Sequence, residues 1–153
     1  MEDTLDAVKA YFEAELDTML GTIGTERGAS VPTVASLDTA LLKDRLTPAI
    51  ELRPGEIEYD YGDESGPFLQ PIEYHSVVAR VLQVGSERKA IQEDLFRYVE
   101  AIRRITLADD TYDAAFLWVQ LVGTGFSDVV DAQERGKLLQ QVDVSLRIRI
   151  VRG

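Results

Sequence analysis

Histidine and cysteine, which often act as catalytic bases and nucleophiles, are scarce in this sequence. The chain has one histidine, His75, and no cysteine, so a Ser-His-Asp arrangement would depend on His75 alone, and disulfides and thiolate metal sites are excluded. His75 falls inside the run IEYHSVVARVLQVG, which predicts a strand, and we interpret it as an ordinary strand residue. The stretches GTIGTERG and GTGFSD lack the spacing or the following helix of a phosphate-binding loop. We therefore predict no catalytic residue, no cofactor and a protein that is not an enzyme.

Two acidic clusters have the residue type of a calcium site without its spacing. Asp109, Asp110 and Asp113 lie close together in the polar run ADDTYD. An EF-hand loop places oxygen ligands at alternate positions, with a glycine and a closing glutamate, and this run lacks them, so we interpret it as a solvated turn. The second cluster consists of Asp60, Asp63 and Glu64. For that cluster, plain solvation and a charged contact both remain open, and no metal site is predicted.

The net charge of −11 is unevenly placed along the chain. Residues 1–74 contain 16 acidic and 5 basic residues, whereas residues 75–153 contain 11 of each. Phosphate contacts supply most of the nonspecific affinity of nucleic-acid-binding proteins, so this balance argues against a dedicated DNA- or RNA-binding protein. It still allows a protein that DNA passes without binding. No apolar run approaches the roughly 20 residues of a membrane span, and the acidic opening is unlike an export signal, so no membrane partner is predicted.

The first half of the chain opens with an amphipathic helix. Apolar residues recur at three- and four-residue steps from Thr4 to about Ile23, which predicts a helix over that range. Gly21 and Gly24 are expected to mark its end. A short helix across Ser36–Arg45 is a further expectation in the mixed segment that follows.

A second amphipathic helix is predicted in SERKAIQEDLFRYVEAIRRITL. The Ser86 hydroxyl can accept a hydrogen bond from an amide of the first turn and so cap this helix. Arg103 and Arg104 are placed to interact with the negative pole of its dipole. The apolar stripe that should face the core consists of Ile91, Leu95, Val99, Ile102 and Ile105.

Alternating runs between and after the helices predict a sheet. Pro48–Arg53 and Glu56–Tyr61 are short alternating runs, and Pro54-Gly55 between them is the pair favoured at the centre of a type II turn, so a hairpin is expected there. GDESGPFLQP is expected to be an exposed loop before the strand IEYHSVVARVLQVG. AAFLWVQLVG is apolar on both faces and is interpreted as a central strand. A turn at Arg135-Gly136 should then lead into the last strand.

The closing run VDVSLRIRIVRG has one apolar and one largely cationic face. Arg147 and Arg149 are expected on the outer face, and Arg152 near the terminus. The residues expected in the core are Val142, Val144, Leu146, Ile148 and Ile150. The pattern as a whole predicts an α+β fold over residues 1–153 as a single domain, with a mostly antiparallel sheet of about four to five strands and two main helices packed on it.

The order of these elements resembles the tail-terminator or tail-completion proteins of long-tailed bacteriophages. The resemblance lies in a first amphipathic helix, a hairpin that opens on PAIEL, the stretch EYHSVVARVLQVGSERKAIQEDLFRYVEAI that leads from a strand into the second helix, and two closing strands. It implies a small protomer that assembles into a ring, such as a hexamer, on the last ring of the tail tube. That ring would stop tube growth and receive the head-tail connector protein without a chemical reaction, in a virion assembled in the host cytoplasm.

The resemblance also suggests roles for particular residues. Around a ring, the cationic last strand of each protomer can face the acidic first half of its neighbour; alternatively, the arginines keep a sheet edge soluble and block strand addition. Aromatic residues near the hairpin suit either an interface or local packing. The interface candidates are Arg147, Arg149, Arg152, Tyr59, Tyr61 and Phe68. The candidates for a lumen that repels DNA phosphates are Asp60, Asp63 and Glu64.

Two other interpretations remain open. Within the phage class, the chain would be a neck or connector-completion protein instead of a terminator. Outside it, the chain would be a small cytoplasmic enzyme or a ligand-binding domain with a pocket between sheet and helices, although no nucleophile, base or metal cluster supports that.

Overall fold

The computed structural model describes residues 1–40, 46–62, 70–109, 112, 116–132 and 136–150. Two helices and six strands follow one another in that part of the chain. In chain order they are α1 (Glu2–Arg27), β1 (Ser36–Asp38), β2 (Ala49–Asp60), β3 (Ile72–Gly85), α2 (Arg88–Ala108), β4 (Phe116–Phe126), β5 (Val130–Asp131) and β6 (Leu138–Ile150).

The strands form one mixed six-stranded sheet in the order β1-β2-β3-β6-β4, with β5 paired to β6 off this path. The β1–β2 pair is parallel, and the other pairs are antiparallel. The prediction of an α+β fold with two main helices on a mostly antiparallel sheet is therefore confirmed in outline. The strand number and the parallel pair differ from it, since the three-residue β1 and the two-residue β5 are too short to show alternation.

Two strand positions also differ from expectation. β4 was interpreted as a central strand but lies at the end of the sheet, whereas β6 lies between β3 and β4. Because β6 is paired on both sides, the alternative that its arginines protect an edge is wrong.

Both helices pack on one face of the sheet around a single core. The buried side chains of α1 follow the expected spacing and include Val8, Phe12, Leu16 and Leu20. In α2 the expected stripe is buried at all positions but Val99, which packs against the core from a half-buried position. The last strand buries its expected residues up to Ile148, with Ile150 partly buried. No helix in the described residues is long and apolar enough to cross a membrane.

The ends of both helices differ from the sequence-based expectation. Gly21 and Gly24 lie inside α1, which continues to Arg27 and ends at Gly28 with a left-handed φ of 60°. The cap of α2 is Glu87 and makes no side-chain hydrogen bond, so Ser86 does not cap it.

The α2 arginines do not lie in the last turn of that helix. Arg104 instead binds Glu100 in its own helix and Glu26 at the end of α1, with donor–acceptor distances of 2.9 and 2.7 Å. Arg103 contacts the same Glu100 at 3.3 Å. Arg104 therefore connects the two helices, whereas Arg103 pairs within α2, and neither lies in the last turn where the helix dipole acts.

The segment expected to contain a short helix forms a strand where it is described. Residues 36–38 are β1, in parallel register with Ala49–Glu51 of β2. Residues 41–45 of that expectation lie outside the described residues.

The expected hairpin at Pro54-Gly55 is wrong because β2 continues through that pair. Its register against β3 shifts between Pro54 and Ile57, as in a β-bulge. A Cβ at Gly55 would lie 2.9 Å from Ser76 Cβ, so this close approach of the strands requires glycine. The hairpin is instead formed by the whole of β2 with β3, and β2 begins within the run PAIEL.

Candidate functional site

The sheet face opposite the helices is uncovered among the described residues. Residues of β3 and β6 alternate between the buried helix side and the half-buried outer side. Cross-strand register places Glu58, Tyr74, Arg149 and Trp118 in one outer row. This outer face therefore presents charged and aromatic side chains from the four long strands.

The centre of the outer face is a cluster of two aromatic rings and one ion pair. The Arg147 guanidinium carbon lies 4.0 Å from the centroid of the Tyr74 ring. Its Nη2 donates to Glu58 Oε2 at 3.1 Å. On the other side, the Tyr74 and Trp118 ring centroids are 5.7 Å apart. Arg147 is thus held within its own chain by a cation–π contact and a salt bridge.

A second ion pair crosses the outer face near the opposite end of the strands. Arg80 donates from Nε and Nη2 to the two carboxylate oxygens of Asp143, at 2.9 and 3.1 Å. These hydrogen bonds raise the pKa of Arg80 above its ordinary value, against a smaller lowering by burial. This bidentate geometry fixes both side chains against the sheet.

The outer part of β2 is an exposed edge of the sheet, and we call residues 53–62 of β2 and its following turn the arm. Every residue of the arm is exposed. Its large apolar side chains are solvent-accessible to a high degree, with Ile57 at 40%, Tyr59 at 51% and Tyr61 at 55%. Asp60 Oδ1 accepts a hydrogen bond from the Gly62 amide at 2.8 Å, so this acid stabilises the turn where Gly62 has a φ of 67°. Exposed aromatics on a rigid strand are the side chains that protein interfaces favour.

A buried polar contact attaches β3 to α1 at the position opposite Ile57 of the arm. His75 is 4% exposed, and its Nδ1 lies 2.6 Å from the Thr4 hydroxyl. Its Nε2 lies 2.7 Å from Glu73 Oε1, and Glu73 is the cross-strand partner of Tyr59. His75 therefore lies inside a strand, as expected from the sequence, and its ring contacts α1 and Glu73.

The structure brings some of the predicted site residues together and leaves others outside the described part. Arg147 and Arg149 point to the outer face from β6, and Tyr59, Tyr61 and Asp60 lie on the arm. Their proposed roles remain predictions. The candidates outside the described residues are Arg152, Phe68, Asp63 and Glu64, and so are Asp110 and Asp113 of the acidic turn.

Sequence reasoning missed two features of the surface. One is the exposed edge of β4, where Val122 is 63% and Phe126 43% exposed. The other is the contact of Phe126 with Phe96 of α2, whose rings meet edge to face at 5.4 Å. The sequence signal for the edge was the uncharged run AAFLWVQLVG, which predicts burial equally well.

The described residues present no metal site, and they form two clefts beside α1. They contain no group of three or more histidine, cysteine or acidic side chains that could hold a metal ion. One cleft is a shallow, open depression of about 380 Å³ at the end of α1, lined by Leu20, Gly24, Ala29 and Val31 among others. The other, of about 120 Å³, lies between α1 and the segment before β1, lined by Phe12, Leu16, Asp17 and Val34 among others. Small-molecule sites occupy roughly 300–1,000 Å³, so this second cleft is small for a ligand.

Comparisons with known proteins give little similarity. No family model matches the chain, and no curated protein matches it. A chain in the solved structure described as "Virion of native gene transfer agent (GTA) particle" is similar to it with 15% sequence identity and a TM-score of 0.35, over 90% of this chain and 96% of that chain. A likeness of this size does not establish a shared fold.

Proposed function

We propose that this chain is a structural subunit of a phage-like tail, and within that class a terminator that forms a ring on the tail tube. The observation that carries the proposal is the outer face of the sheet with its exposed arm. In the described part of the chain both helices pack on one side of the sheet, while a charged and aromatic row and exposed tyrosines occupy the other side and the end of the hairpin. The order of the main elements, a helix, long strands, a second helix and closing strands, also supports the proposal, although the segment expected to form the hairpin is the single strand β2.

In the proposed mechanism the ring acts by surface mismatch. One ring face copies the contact surface of the tube and binds its last ring, and the other face differs, so no further tube subunit can add. The second face receives the head-tail connector protein. No covalent chemistry is required of any residue.

The contacts between protomers are proposed to be electrostatic in part. Arg147 and Arg149 present cations on the outer face, and Arg152 adds a third beyond the described residues. The arm contributes Tyr59 and Tyr61, with Phe68 after it, as aromatic contacts of the kind that anchor interfaces. Such charge complementarity fixes orientation and partner choice more than it adds affinity.

The acids of the arm and the loop after it are proposed to face the lumen through which DNA passes. Asp60 lies at the exposed end of β2, and Asp63 and Glu64 follow it in sequence. Negative charge on a lumen repels phosphates and prevents the passage from becoming a binding site. Neutralising all three acids and measuring DNA retention by assembled particles tests this role, because unchanged retention argues against a lumen position.

The first experiment is the solution mass of the chain by light scattering over a concentration series, with negative-stain images of the largest species. A closed ring that binds the end of purified tail tubes and stops their elongation supports the terminator. A ring that binds only the connector favours a neck protein instead. A chain that caps no tube and joins no connector contradicts the proposal.

A charge-reversal pair tests the proposed contacts, and the melting temperature reports the loss of the Arg147–Glu58 pair that it also breaks. Arg147→Glu with Arg149→Glu should shift the species seen by light scattering toward the monomer, with only a small decrease in melting temperature. Arg88→Glu with Lys89→Glu changes net charge equally on the exposed first turn of α2 and should leave assembly unchanged. Normal assembly of the first double variant would show that the outer-face arginines are not contacts.

A further inference from the structure

We infer that the β4 edge of one copy pairs with the arm of the next, so that copies join head to tail through a continuous antiparallel sheet. This inference specifies how the ring proposed above would close. It rests on the composition of β4, on the position of the open part of β2, and on the direction of the strands.

β4 lacks most of the features that keep an edge strand from pairing. Its 11 residues, FLWVQLVGTGF, include no charged residue and no proline, and no described strand covers its outer side. Natural edge strands are usually short, charged or interrupted by proline, because an unprotected edge adds further strands. Two register shifts interrupt β4 near Leu117 and Val122, and they leave regular stretches at Trp118–Leu121 and Gly123–Phe126. An edge this long and neutral suits a strand that receives a partner.

The other open edge of the sheet is the arm. β1 covers only Ala49–Glu51 of β2, and among the described residues nothing pairs with the far side of Leu52–Asp60. Register through β3 and β6 places Glu58 in the row of Trp118, and Arg53 in the row of Gly123. The open part of β2 therefore lies at the same height as Trp118–Thr124 of β4, on the opposite side of the sheet. Gly125 and Phe126 lie at the height of Glu51 and Ile50, which β1 covers.

Strand direction makes this pairing compatible with a ring. β2, β3, β6 and β4 are successively antiparallel, so β4 runs opposite to β2. In a ring whose axis follows the strands, every copy keeps the same direction, and β4 meets the β2 of its neighbour antiparallel. The alternation then continues across the interface without a break. Because the two edges are different surfaces, the contact is heterologous and forms rings or open filaments rather than a closed dimer.

Charge supports a second copy as the partner. Within one chain, Arg147 of β6 reaches over the Tyr74 ring of β3 to the acid Glu58 of β2. Arg149 lies directly opposite Trp118 of β4, and no ion pair of Arg149 with another described residue is formed. A strand paired with β4 would be separated from β6 by one strand, as β2 is. Trp118 would then lie between Arg149 and the added strand, as Tyr74 lies between Arg147 and Glu58. The arm of the next copy carries the acids Glu56 and Glu58 and so brings negative charge to this side of Arg149, with Glu58 shared with Arg147 of its own chain.

Thiol crosslinking tests this contact without background, because the chain has no cysteine. Gln120→Cys on β4 and Glu56→Cys on the arm are both at exposed positions. In one chain, three strand spacings of about 4.8 Å separate the two edges, beyond the reach of a short bifunctional reagent. The double variant should give a ladder of covalent oligomers. A mixture of equal amounts of the two single variants should give covalent dimers only. Each single variant alone should give no covalent dimer.

Other outcomes overturn either the inference or the proposed function, and the two are distinguishable. Dimers from Gln120→Cys alone would mean that two β4 edges pair with each other, and monomers from the double variant and the mixture at the highest concentration would mean that the edges do not meet. A ring seen by light scattering without crosslinks removes this contact but leaves the proposed function. Crosslinked oligomers that bind no tail tube leave the contact and remove the proposed function.

A charge placed on the edge gives an independent test. Val122→Lys should lower the association constant at least about tenfold, because a lysine on an edge strand blocks strand addition. Leu107→Lys on α2 is the matched control, since Leu107 is 68% and Val122 63% exposed. The inference fails if both variants weaken assembly equally or if neither does. Circular dichroism and melting temperature verify that both variants are folded.

Discussion

The Arg147 guanidinium and the Glu58 carboxylate bind each other across an intervening strand, over the face of the Tyr74 ring. The pair connects β6 to β2, which are not neighbours in the sheet. The Glu58 side chain is 60% exposed and that of Arg147 35%. Water and salt therefore screen the ion pair, whereas the stacking on Tyr74 is less dependent on the carboxylate.

Removing the charge of Glu58 should therefore have a small effect on stability. Glu58→Gln is expected to lower the free energy of unfolding by less than about 1 kcal/mol, the range of exposed salt bridges. Urea denaturation at low and high salt measures this, and the difference should shrink at high salt. Glu56→Gln is the control, because Glu56 lies in the same strand and forms no ion pair with another described residue. A loss of several kcal/mol in Glu58→Gln would indicate that the pair organises the outer face.

Two glycines of α1 should respond in opposite directions to alanine. A Cβ at Gly24 would lie 2.8 Å from the carbonyl oxygen of Ala29, whereas a Cβ at Gly21 meets nothing within 4 Å. Gly21→Ala should stabilise by up to about 1 kcal/mol through helix propensity. Gly24→Ala should destabilise by roughly 1–2 kcal/mol, because the backbone after Gly28 has to move. Thermal unfolding of both variants decides this, and stabilisation by both would mean that the Ala29 carbonyl shifts at little cost.

The sequence predicted the parts of the fold that are set by burial on one face. The alternation in the last strand and the stripes of both helices match the observed core because each element has one buried side. The end of α1 was misjudged since Gly24, taken as a stop signal, is a packing position.

The site was harder to predict than the core. Pro54-Gly55 has the composition of a turn, yet a proline is tolerated on the open edge of β2, and Gly55 allows Ser76 of β3 to approach. β4 is apolar on both faces, which predicts a central strand in a monomer. A strand that pairs with another copy would be apolar for the same reason, because the neighbour buries it. A single sequence does not distinguish the two cases.

Alkaline pH should destabilise the helix pair through Tyr11. Its hydroxyl donates to the Ile105 carbonyl at 2.7 Å. Burial, with the negative charges of Asp109 and Glu15, raises the pKa of Tyr11 to about 12. An unfolded tyrosine titrates near pH 10, so the stabilisation is complete below about pH 10 and is lost as the pH rises toward 12. Burial also raises the pKa values of Tyr98 and Tyr112.

Urea denaturation as a function of pH measures this effect. The free energy of unfolding should fall between about pH 10 and 12, and Tyr11→Phe should make that fall shallower. The same substitution should cost roughly 0.5–1.5 kcal/mol at neutral pH through the lost hydrogen bond. An unchanged slope in Tyr11→Phe would mean that its phenol ionises in the folded chain as readily as in the unfolded one.

The buried Thr4–His75 contact should behave as one energetic unit. The Glu73 carboxylate only accepts hydrogen bonds, so His75 Nε2 donates to it, and the Thr4 hydroxyl lies at Nδ1, 2.6 Å away. Thr4→Val and His75→Phe each leave one buried polar group without this partner, at an expected cost of about 1–3 kcal/mol. The double variant should lose less than the sum of the two, with a coupling energy of roughly 0.5–3 kcal/mol. Chemical denaturation of all four proteins completes the cycle. Strictly additive changes in the free energy of unfolding would show that the two side chains are neighbours without an energetic link between α1 and β3.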